Sequence, residues 1–184
     1  MLLRQLRRLF VLLLFISTIG LLFYQYIHFI EEPDLTEVPP PAALHPAVAE
    51  KKEELIAQAA DKGINVVITQ DFRSIEEQDA LYEKGRSVEG NIVTHAKGGE
   101  SYHNFGLAID FALMSVDGHV IWDMQYDGNG NSKSDWMEVV DMAKDLGFEW
   151  GGDWTQFKDY PHLQMDFGLS IWELQRGKRP PGTE

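Results

Sequence analysis

The segment Gly106-Leu107-Ala108-Ile109-Asp110-Phe111-Ala112-Leu113 alternates between large apolar residues and small ones. This period-2 pattern predicts a β-strand whose apolar face belongs to the core. The opposite face consists of Gly and Ala around a single carboxylate, Asp110, and such a face is unusual unless something sits above it. The segment 162–167 repeats the alternation, with Leu163, Met165 and Phe167 on one side and His162, Gln164 and Asp166 on the other.

If the two strands pair, His162 and Asp110 share one open face, and His103 reaches that face from the loop before the first strand. Two imidazoles and a carboxylate can hold a catalytic zinc ion with one coordination position open for water. A single His or Asp in a strand is more often solvated or hydrogen-bonded, so the prediction depends on the combination. His95 in the same loop is an alternative ligand. Asp159, three residues before His162, is either a general base or a turn residue.

These residues also carry a family resemblance. The pattern Ser-x-His-x-x-Gly-x-Ala-x-Asp at 101–110, followed by Asp-x-x-His at 159–162, resembles the zinc D-Ala-D-Ala carboxypeptidase and L-alanyl-D-glutamate endopeptidase family, which cuts peptidoglycan stem peptides. The resemblance is specific because several separate blocks over residues 46–168 agree in order. Those blocks are Gln70-Asp71-Phe72-Arg73-Ser74, Gln78, Leu81-Tyr82, Gly85-Arg86, Gly98-Gly99 and Trp150-Gly151-Gly152-Asp153-Trp154.

The resemblance implies a role for each residue of the site. The zinc ligands are His103, Asp110 and His162. Asp159 takes a proton from the attacking water and passes it to the departing amine. Arg73 polarises the scissile carbonyl or steadies the oxyanion, with a surface salt bridge as the alternative. Ser101 helps to hold the substrate.

The last block favours one substrate over another. Carboxypeptidase and dipeptidase branches usually show Glu-x-Trp-His or Glu-x-x-His there. This chain has Asp159-Tyr160-Pro161-His162, which is similar to the endolysin-type L-alanyl-D-glutamate endopeptidases. We therefore expect hydrolysis of the L-Ala–D-Glu bond. A D-alanyl-D-alanine carboxypeptidase and a non-catalytic cell-wall-binding module are the alternatives.

The composition fits one folded domain with accessory segments. Of the 184 residues, 44% are hydrophobic, which is enough to fill a core. The chain has no cysteine, so disulfides and thiolate zinc sites are excluded. A net charge of −13 argues against nucleic acid as a partner, because its phosphates would be repelled.

The amino end predicts a membrane anchor. Residues 1–8 form a basic cytoplasmic tail, and residues 9–30 contain no formally charged residue. As a helix this run would span about 33 Å, enough to cross a bilayer. Arginines before it and acidic residues after it predict a single-pass protein of the cell membrane with an extracytoplasmic domain. A cleaved signal peptide is the alternative, although the first plausible cleavage site, Ala47-Val48-Ala49, lies far downstream.

The rest of the chain predicts an acidic, Pro-rich linker at 31–46, a zinc peptidase domain at 47–175 and a tail at 176–184. Proline cannot continue a helix or an inner strand, so we expect the linker to be extended and about 50 Å long at most. The predicted fold class is α+β: a small antiparallel sheet with flanking helices that carries a zinc site, preceded by one N-terminal transmembrane helix. The predicted helices are Ala47–Lys62, Ser74–Tyr82 and Asp135–Leu146.

A second ligand pattern follows the predicted hairpin at Asp117-Gly118. Positions 1, 3, 5, 9 and 12 of an EF-hand-like calcium loop are occupied by Asp127, Asn129, Asn131, Asp135 and Glu138. Ser132 replaces the usual glycine at position 6. Because Asp-Gly-Asn-Gly-Asn is also an ordinary turn sequence, Ca²⁺ binding and a plain turn both remain open.

Overall fold

The computed structural model describes residues 2–29 and 38–183, which fall into two compact units. One unit contains the helix α1, Leu2–Phe29. The other contains everything described from Val38 onward. Among the described residues, no helix is long and apolar enough to cross a membrane. Residues 31–37 of the predicted linker lie outside the described residues.

The second unit is built on an antiparallel sheet. Its strands are β1 Val66–Gln70, β2 Ala108–Met114, β3 Val120–Ile121, β4 Glu149–Trp150 and β5 His162–Gln164. The hydrogen-bonded order is β1-β2-β5-β4, and β3 pairs with β2. Every pairing is antiparallel. The predicted α+β class with a small antiparallel sheet is therefore confirmed.

Helices flank this sheet close to their predicted positions. They are α2 Pro46–Asp61, α3 Ile75–Glu83, α4 Asp135–Asp145 and α5 Ile171–Gln175, of which α5 was not predicted. Short 3₁₀ turns occupy Tyr102–Phe105 and Gly151–Asp153. The predicted capping box opens α3: Glu77 N–H donates to Ser74 Oγ at 3.1 Å, and Ser74 N–H donates to the Glu77 carboxylate at 2.8 Å.

The core lies between the apolar face of β2 and the helices α2 and α4. The predicted inward residues are at most 1% exposed: Leu107, Ile109, Phe111 and Leu113. Leu55 of α2 and Val139 of α4 are fully buried in the same cluster. The Phe111 ring lies 4.6 Å from that of Trp136 at the start of α4. This packing holds β2 rigidly, and β2 carries Asp110.

The alternation predicted for residues 162–167 holds only as far as Gln164, where β5 ends. Phe167 was predicted to point into the core, but it is 38% exposed and has a left-handed φ of 53°. The cause is a turn in which the Asp166 carboxylate accepts a hydrogen bond from Gly168 N–H at 2.7 Å.

The segment just before α2 packs on the domain through His45. His45 is 6% exposed because its Nδ1 caps α2 by accepting from Ala47 N–H, while its Nε2 lies 3.1 Å from the Pro181 carbonyl. Its own N–H donates to the carbonyl of Gly106. Gly106 has a φ of 67°, and a Cβ there would come within 2.3 Å of the Ala43 carbonyl oxygen. Only glycine fits this close approach before β2.

Candidate metal centre and active site

The register between β2 and β5 places Asp110 directly opposite His162. The Asp110 Oδ1 atom lies 3.3 Å from His162 Nδ1 and 3.2 Å from His103 Nε2. Within residues 2–29 and 38–183, these three are the one group of His, Cys, Asp or Glu side chains arranged to hold a metal ion, with ligand atoms within 4.8 Å of one another. The structure thus brings the three predicted ligands together.

The spacing of these atoms suits a metal ion. Tetrahedral zinc has bonds of about 2.0–2.2 Å to nitrogen and oxygen, which puts neighbouring ligand atoms about 3.3 Å apart. The 3.2 and 3.3 Å separations match that value. They are longer than the roughly 2.7–2.9 Å of a charge-assisted hydrogen bond. The donor set and its spacing therefore fit a divalent cation.

The 3₁₀ turn Tyr102–Phe105 presents His103, which is 2% exposed. Its Nδ1 lies 2.7 Å from the Asp71 carbonyl oxygen. Because a carbonyl can only accept, Nδ1 carries a proton, and Nε2 is the nitrogen that faces Asp110 and is available to a metal ion. Ser101 caps the same turn, since its Oγ accepts from His103 N–H at 3.4 Å. Ser101 also lines the cavity above the site.

Asp110 is ionised in this setting. Burial alone would raise the pKa of its carboxyl group. Hydrogen bonds and charge interactions with His103 and His162 outweigh burial and hold the pKa well below its usual range. A carboxylate with two imidazoles beside it is the state required of a metal ligand.

Arg73 lies in the same cavity, and its side chain is only 12% exposed. Its Nη1 donates to Gln78 Oε1 at 2.7 Å, and its Nη2 lies 3.7 Å from Asp110 Oδ2. This ion pair is enclosed in the site and does not lie on the open surface. The Arg73 Nε atom is buried and has no hydrogen-bond partner among the described residues.

Asp159 lines this cavity from the segment before β5. Burial raises the pKa of its carboxyl group, and the nearby Asp110 adds to the shift, although His162 opposes it. Its N–H donates to the Gly151 carbonyl at 3.2 Å. A Cβ on Gly151 would lie 2.5 Å from the Asp159 carbonyl oxygen, so a glycine is required for the segment to pack here.

The cavity has a volume of about 900 Å³ and opens over the three predicted ligands. Ile92 and Val93 form part of one wall, and Trp154 and Phe157 form part of another. His95 also lines the cavity, where its ring lies 6.5 Å from that of Phe157. It does not belong to the group of three that can hold a metal. The alternative of His95 as a ligand therefore has no support from the geometry.

Comparison with known proteins identifies the family. The model of a D-alanyl-D-alanine carboxypeptidase family matches residues 94–165. The peptidoglycan L-alanyl-D-glutamate endopeptidase CwlK of Bacillus subtilis (strain 168) is 66% identical over 131 residues, which are 71% of this chain and 78% of CwlK. The chain belongs to this family of peptidoglycan peptidases.

Two further similarities, one in sequence and one in fold, are found. The L-alanyl-D-glutamate peptidase of Listeria phage A118 is 35% identical over 114 residues, which are 62% of this chain and 35% of the phage protein. The solved structure of the LdcB LD-carboxypeptidase covers 74% of this chain and 70% of its own, with 21% identity and a TM-score of 0.51. That last similarity concerns the fold. The resemblance inferred from the sequence motifs is confirmed.

Sequence reasoning overlooked several residues that shape the site of this peptidase. Gln78 is fully buried; it donates to the Ala96 carbonyl and accepts a hydrogen bond from Arg73. Asn104 donates to the carbonyls of Arg73 and Ser74, which ties the 3₁₀ turn to the start of α3. The Trp154 ring lies 5.1 Å from that of His162. All three residues lie inside the sequence blocks matched to the family, and that position was the available signal.

The residues of the possible calcium loop lie close together, but they hydrogen-bond with one another. Both Asp127 carboxylate oxygens accept backbone N–H groups, from Asn131 and Ser132. Asn131 Nδ2 donates to Glu138 at 2.7 Å, and Asn129 donates to the same carboxylate. The Asp135 carboxylate accepts from Gly128 N–H. These contacts are typical of a turn, and calcium binding stays a prediction.

Proposed function

We propose that this protein hydrolyses the L-Ala–D-Glu bond of peptidoglycan stem peptides, with a zinc ion held by His103, Asp110 and His162. The observation that carries the proposal is the convergence of two imidazole nitrogens and one carboxylate oxygen at the floor of a cavity that Arg73 and Asp159 also line. The sequence Asp159-Tyr160-Pro161-His162 and the 66% identity to CwlK favour this bond over the terminal D-Ala bond.

The three side chains of the metal centre offer an N, O, N donor set of the hardness that zinc accepts. When bound, a zinc ion supplies Lewis-acid activation of a water molecule for attack on a peptide carbonyl. His103 and Asp110 are held in place before any metal arrives, because the Asp71 carbonyl orients the imidazole and β2 holds the carboxylate. This preorganisation reduces the cost of assembling the site.

Asp159 is the general base in this proposal. Its raised pKa, caused by burial, makes it a stronger proton acceptor than an ordinary surface carboxylate. It takes the proton of the attacking water and passes that proton to the amine that leaves. Asp159 lines the same cavity as the three predicted ligands.

Arg73 stabilises the negative charge that develops on the carbonyl oxygen. Gln78 fixes one end of the guanidinium group, and the buried Nε is left with an unused N–H. A permanently charged donor inside a partly enclosed cavity stabilises such charge far more than one in water. The cavity volume of about 900 Å³ accommodates a short peptide segment along its apolar walls.

A D-alanyl-D-alanine carboxypeptidase is the second candidate, since the family model that matches residues 94–165 carries that description. The two activities are distinguished by mass spectrometry of muropeptides after digestion with the purified protein, combined with metal analysis of the same sample. We expect free stem peptides that begin with D-Glu and one zinc per chain. Loss of a single terminal alanine would instead identify a carboxypeptidase. Muropeptides that stay intact would support the non-catalytic wall-binding module.

We also propose that residues 9–30 anchor the protein in the cell membrane and that the peptidase domain is extracytoplasmic. The sequence alone supports this: the run has no formal charge, arginines precede it and acidic residues follow it. Protease treatment of intact protoplasts that carry the full chain provides the test. Digestion of the domain with retention of a membrane-bound fragment supports the proposal, whereas release of the whole protein into the medium contradicts it.

A further inference from the structure

Gln164 and Glu149 lie in a hydrogen-bonded chain behind the metal centre. Gln164 Oε1 lies 3.0 Å from His162 Nε2, and Gln164 Nε2 donates to Glu149 Oε2 at 3.0 Å. Gln164 is 5% exposed, although glutamine is usually a surface residue. It occurs two residues after His162 on β5, so both side chains point to the same face of the sheet.

The strand register brings the side chains of this hydrogen-bonded series together. Glu149 on β4 and Gln164 on β5 are direct cross-strand partners, and Ala108 on β2 is the partner of Gln164 on its other side. The amide is thus held between two strands at a central position of the sheet. Ala108 is too small to compete for the space, so the Gln164 side chain extends between His162 and Glu149.

The chemistry of the chain determines which ring nitrogen of His162 carries a proton. The Glu149 carboxylate can only accept, so it requires the NH₂ end of the Gln164 amide and turns the amide oxygen toward His162. That oxygen also can only accept, so it keeps a proton on Nε2 of His162, while Nδ1 faces Asp110 and is the nitrogen available to a metal ion. The opposite orientation of the amide would set two acceptor oxygens against each other at the Glu149 end.

We propose that Glu149 and Gln164 are positioning residues that fix His162 in its Nε2-protonated tautomer and thereby leave Nδ1 free to bind the metal ion. The Nδ1 atom is the one that lies 3.3 Å from Asp110 Oδ1, at the point where His103 Nε2 also converges. His103 is set in the opposite tautomer by the Asp71 carbonyl. The two imidazoles therefore present different nitrogens to one point, each selected by an acceptor behind the ring.

The inference rests on the proposed metal site, and its test has two readouts that separate the two ideas. The first is the tautomer of His162, followed by ¹⁵N NMR of the metal-free protein labelled at histidine. The second is the zinc dissociation constant, measured by competition with a chromophoric chelator. If the wild-type protein fails to bind zinc, the proposed function is wrong, but the tautomer readout still decides whether Gln164 orients the ring.

Three variants test the hydrogen-bonded series His162, Gln164 and Glu149. Gln164→Leu removes the acceptor at similar volume, and we expect a mixed His162 tautomer and about 10- to 100-fold weaker zinc binding. Gln164→Glu keeps an acceptor for His162 but sets two carboxylates together, so it also weakens binding. The double variant Glu149→Gln with Gln164→Glu restores one donor and one acceptor in the right order, and we expect the tautomer and the zinc affinity to return toward wild type.

The matched control is Glu53→Gln on α2, whose side chain is 71% exposed. It makes the same chemical change as Glu149→Gln and should leave both readouts unchanged. The proposal is overturned if Gln164→Leu binds zinc with the wild-type dissociation constant. It is also overturned if zinc binding weakens while the His162 tautomer stays the same, or if the double variant fails to recover although its circular dichroism spectrum is that of wild type.

Discussion

Asp110 on β2 and His162 on β5 are cross-strand partners, and their facing atoms Oδ1 and Nδ1 lie 3.3 Å apart. Antiparallel partners have Cα atoms about 4.5–5.5 Å apart, so two short side chains on the same face meet without bending the backbone. A slip of one residue would turn His162 to the other face of the sheet. The candidate metal centre therefore depends on the register of two strands that are separated by 47 residues in the chain.

Replacement of the proposed base tests the reaction separately from metal binding. We expect Asp159→Asn to lower kcat about 100- to 10,000-fold while zinc content stays at the wild-type level, because the amide cannot accept the proton of water. Turnover of purified muropeptides and metal analysis of the same sample provide the measurement. Asp153→Asn is the control, since Asp153 lies in the same segment but pairs with Lys144 at the surface. Wild-type turnover in Asp159→Asn would exclude Asp159 as the base.

Removal of the arginine tests charge stabilisation. We expect Arg73→Ala to lower kcat about 100- to 1,000-fold with little change in KM, as found for the loss of one oxyanion donor. Arg73→Lys should recover little, because one ammonium group cannot both bind Gln78 Oε1 and offer the unused Nε donor. Steady-state kinetics on a defined muropeptide distinguish the outcomes. A rise in KM alone would point to substrate binding.

The packing around β2 predicts a large loss of stability on truncation. Phe111 is fully buried and its ring lies 4.6 Å from Trp136. We expect Phe111→Ala to lower the free energy of unfolding by about 3–5 kcal/mol, through lost burial and the cavity that remains. Urea unfolding provides the measurement. Val116→Ala is the control, because Val116 is 96% exposed and its truncation should change stability by less than about 0.5 kcal/mol.

The cap of α5 predicts a dependence of stability on acid pH. A hydrogen bond from Lys178 and further ones from Ser170 lower the pKa of Glu173 from 4.5 to about 2. A carboxyl group with a depressed folded-state pKa adds stability that is complete above its unfolded pKa and is lost as pH falls through the folded value. We therefore expect Glu173→Gln to lose less stability than wild type between pH 4.5 and pH 2. The measurement is the free energy of unfolding of both proteins as a function of pH. An equal loss in Glu173→Gln and in wild type over this range would contradict the prediction.

Calcium binding by the loop at 127–138 can be tested directly. Ser132 adopts a left-handed φ of 66° at the position where an EF-hand loop uses glycine for its sharp turn. If the prediction holds, calcium raises the melting temperature of the protein and releases or absorbs heat in a titration. Asp127→Asn combined with Glu138→Gln should abolish both effects. If calcium produces neither heat in the titration nor a shift in melting temperature, the loop is an ordinary turn that does not bind calcium.

The elements with strong local patterns were predicted well. The alternation at 106–113 and the capping box at Ser74 correspond to β2 and α3, because burial of one strand face and pairing of the first helical N–H groups are local requirements. The strand β4 has only two residues and no period, so nothing in its sequence predicts that Glu149 pairs with Gln164. The turn at Phe167 was missed because alternation by itself does not show where a strand ends.

The sequence by itself determined the chemistry of this protein: which side chains can bind a metal, accept a proton or carry a permanent charge, and on which strand faces they lie. Only the tertiary structure decided which atoms of these side chains come into contact. The Asp71 carbonyl behind His103 and the Gln164 amide behind His162 select opposite tautomers, and Gln78 holds Arg73 in the cavity. Side-chain type and strand period are local properties, whereas a proton position depends on partners brought together by strand register across the sheet.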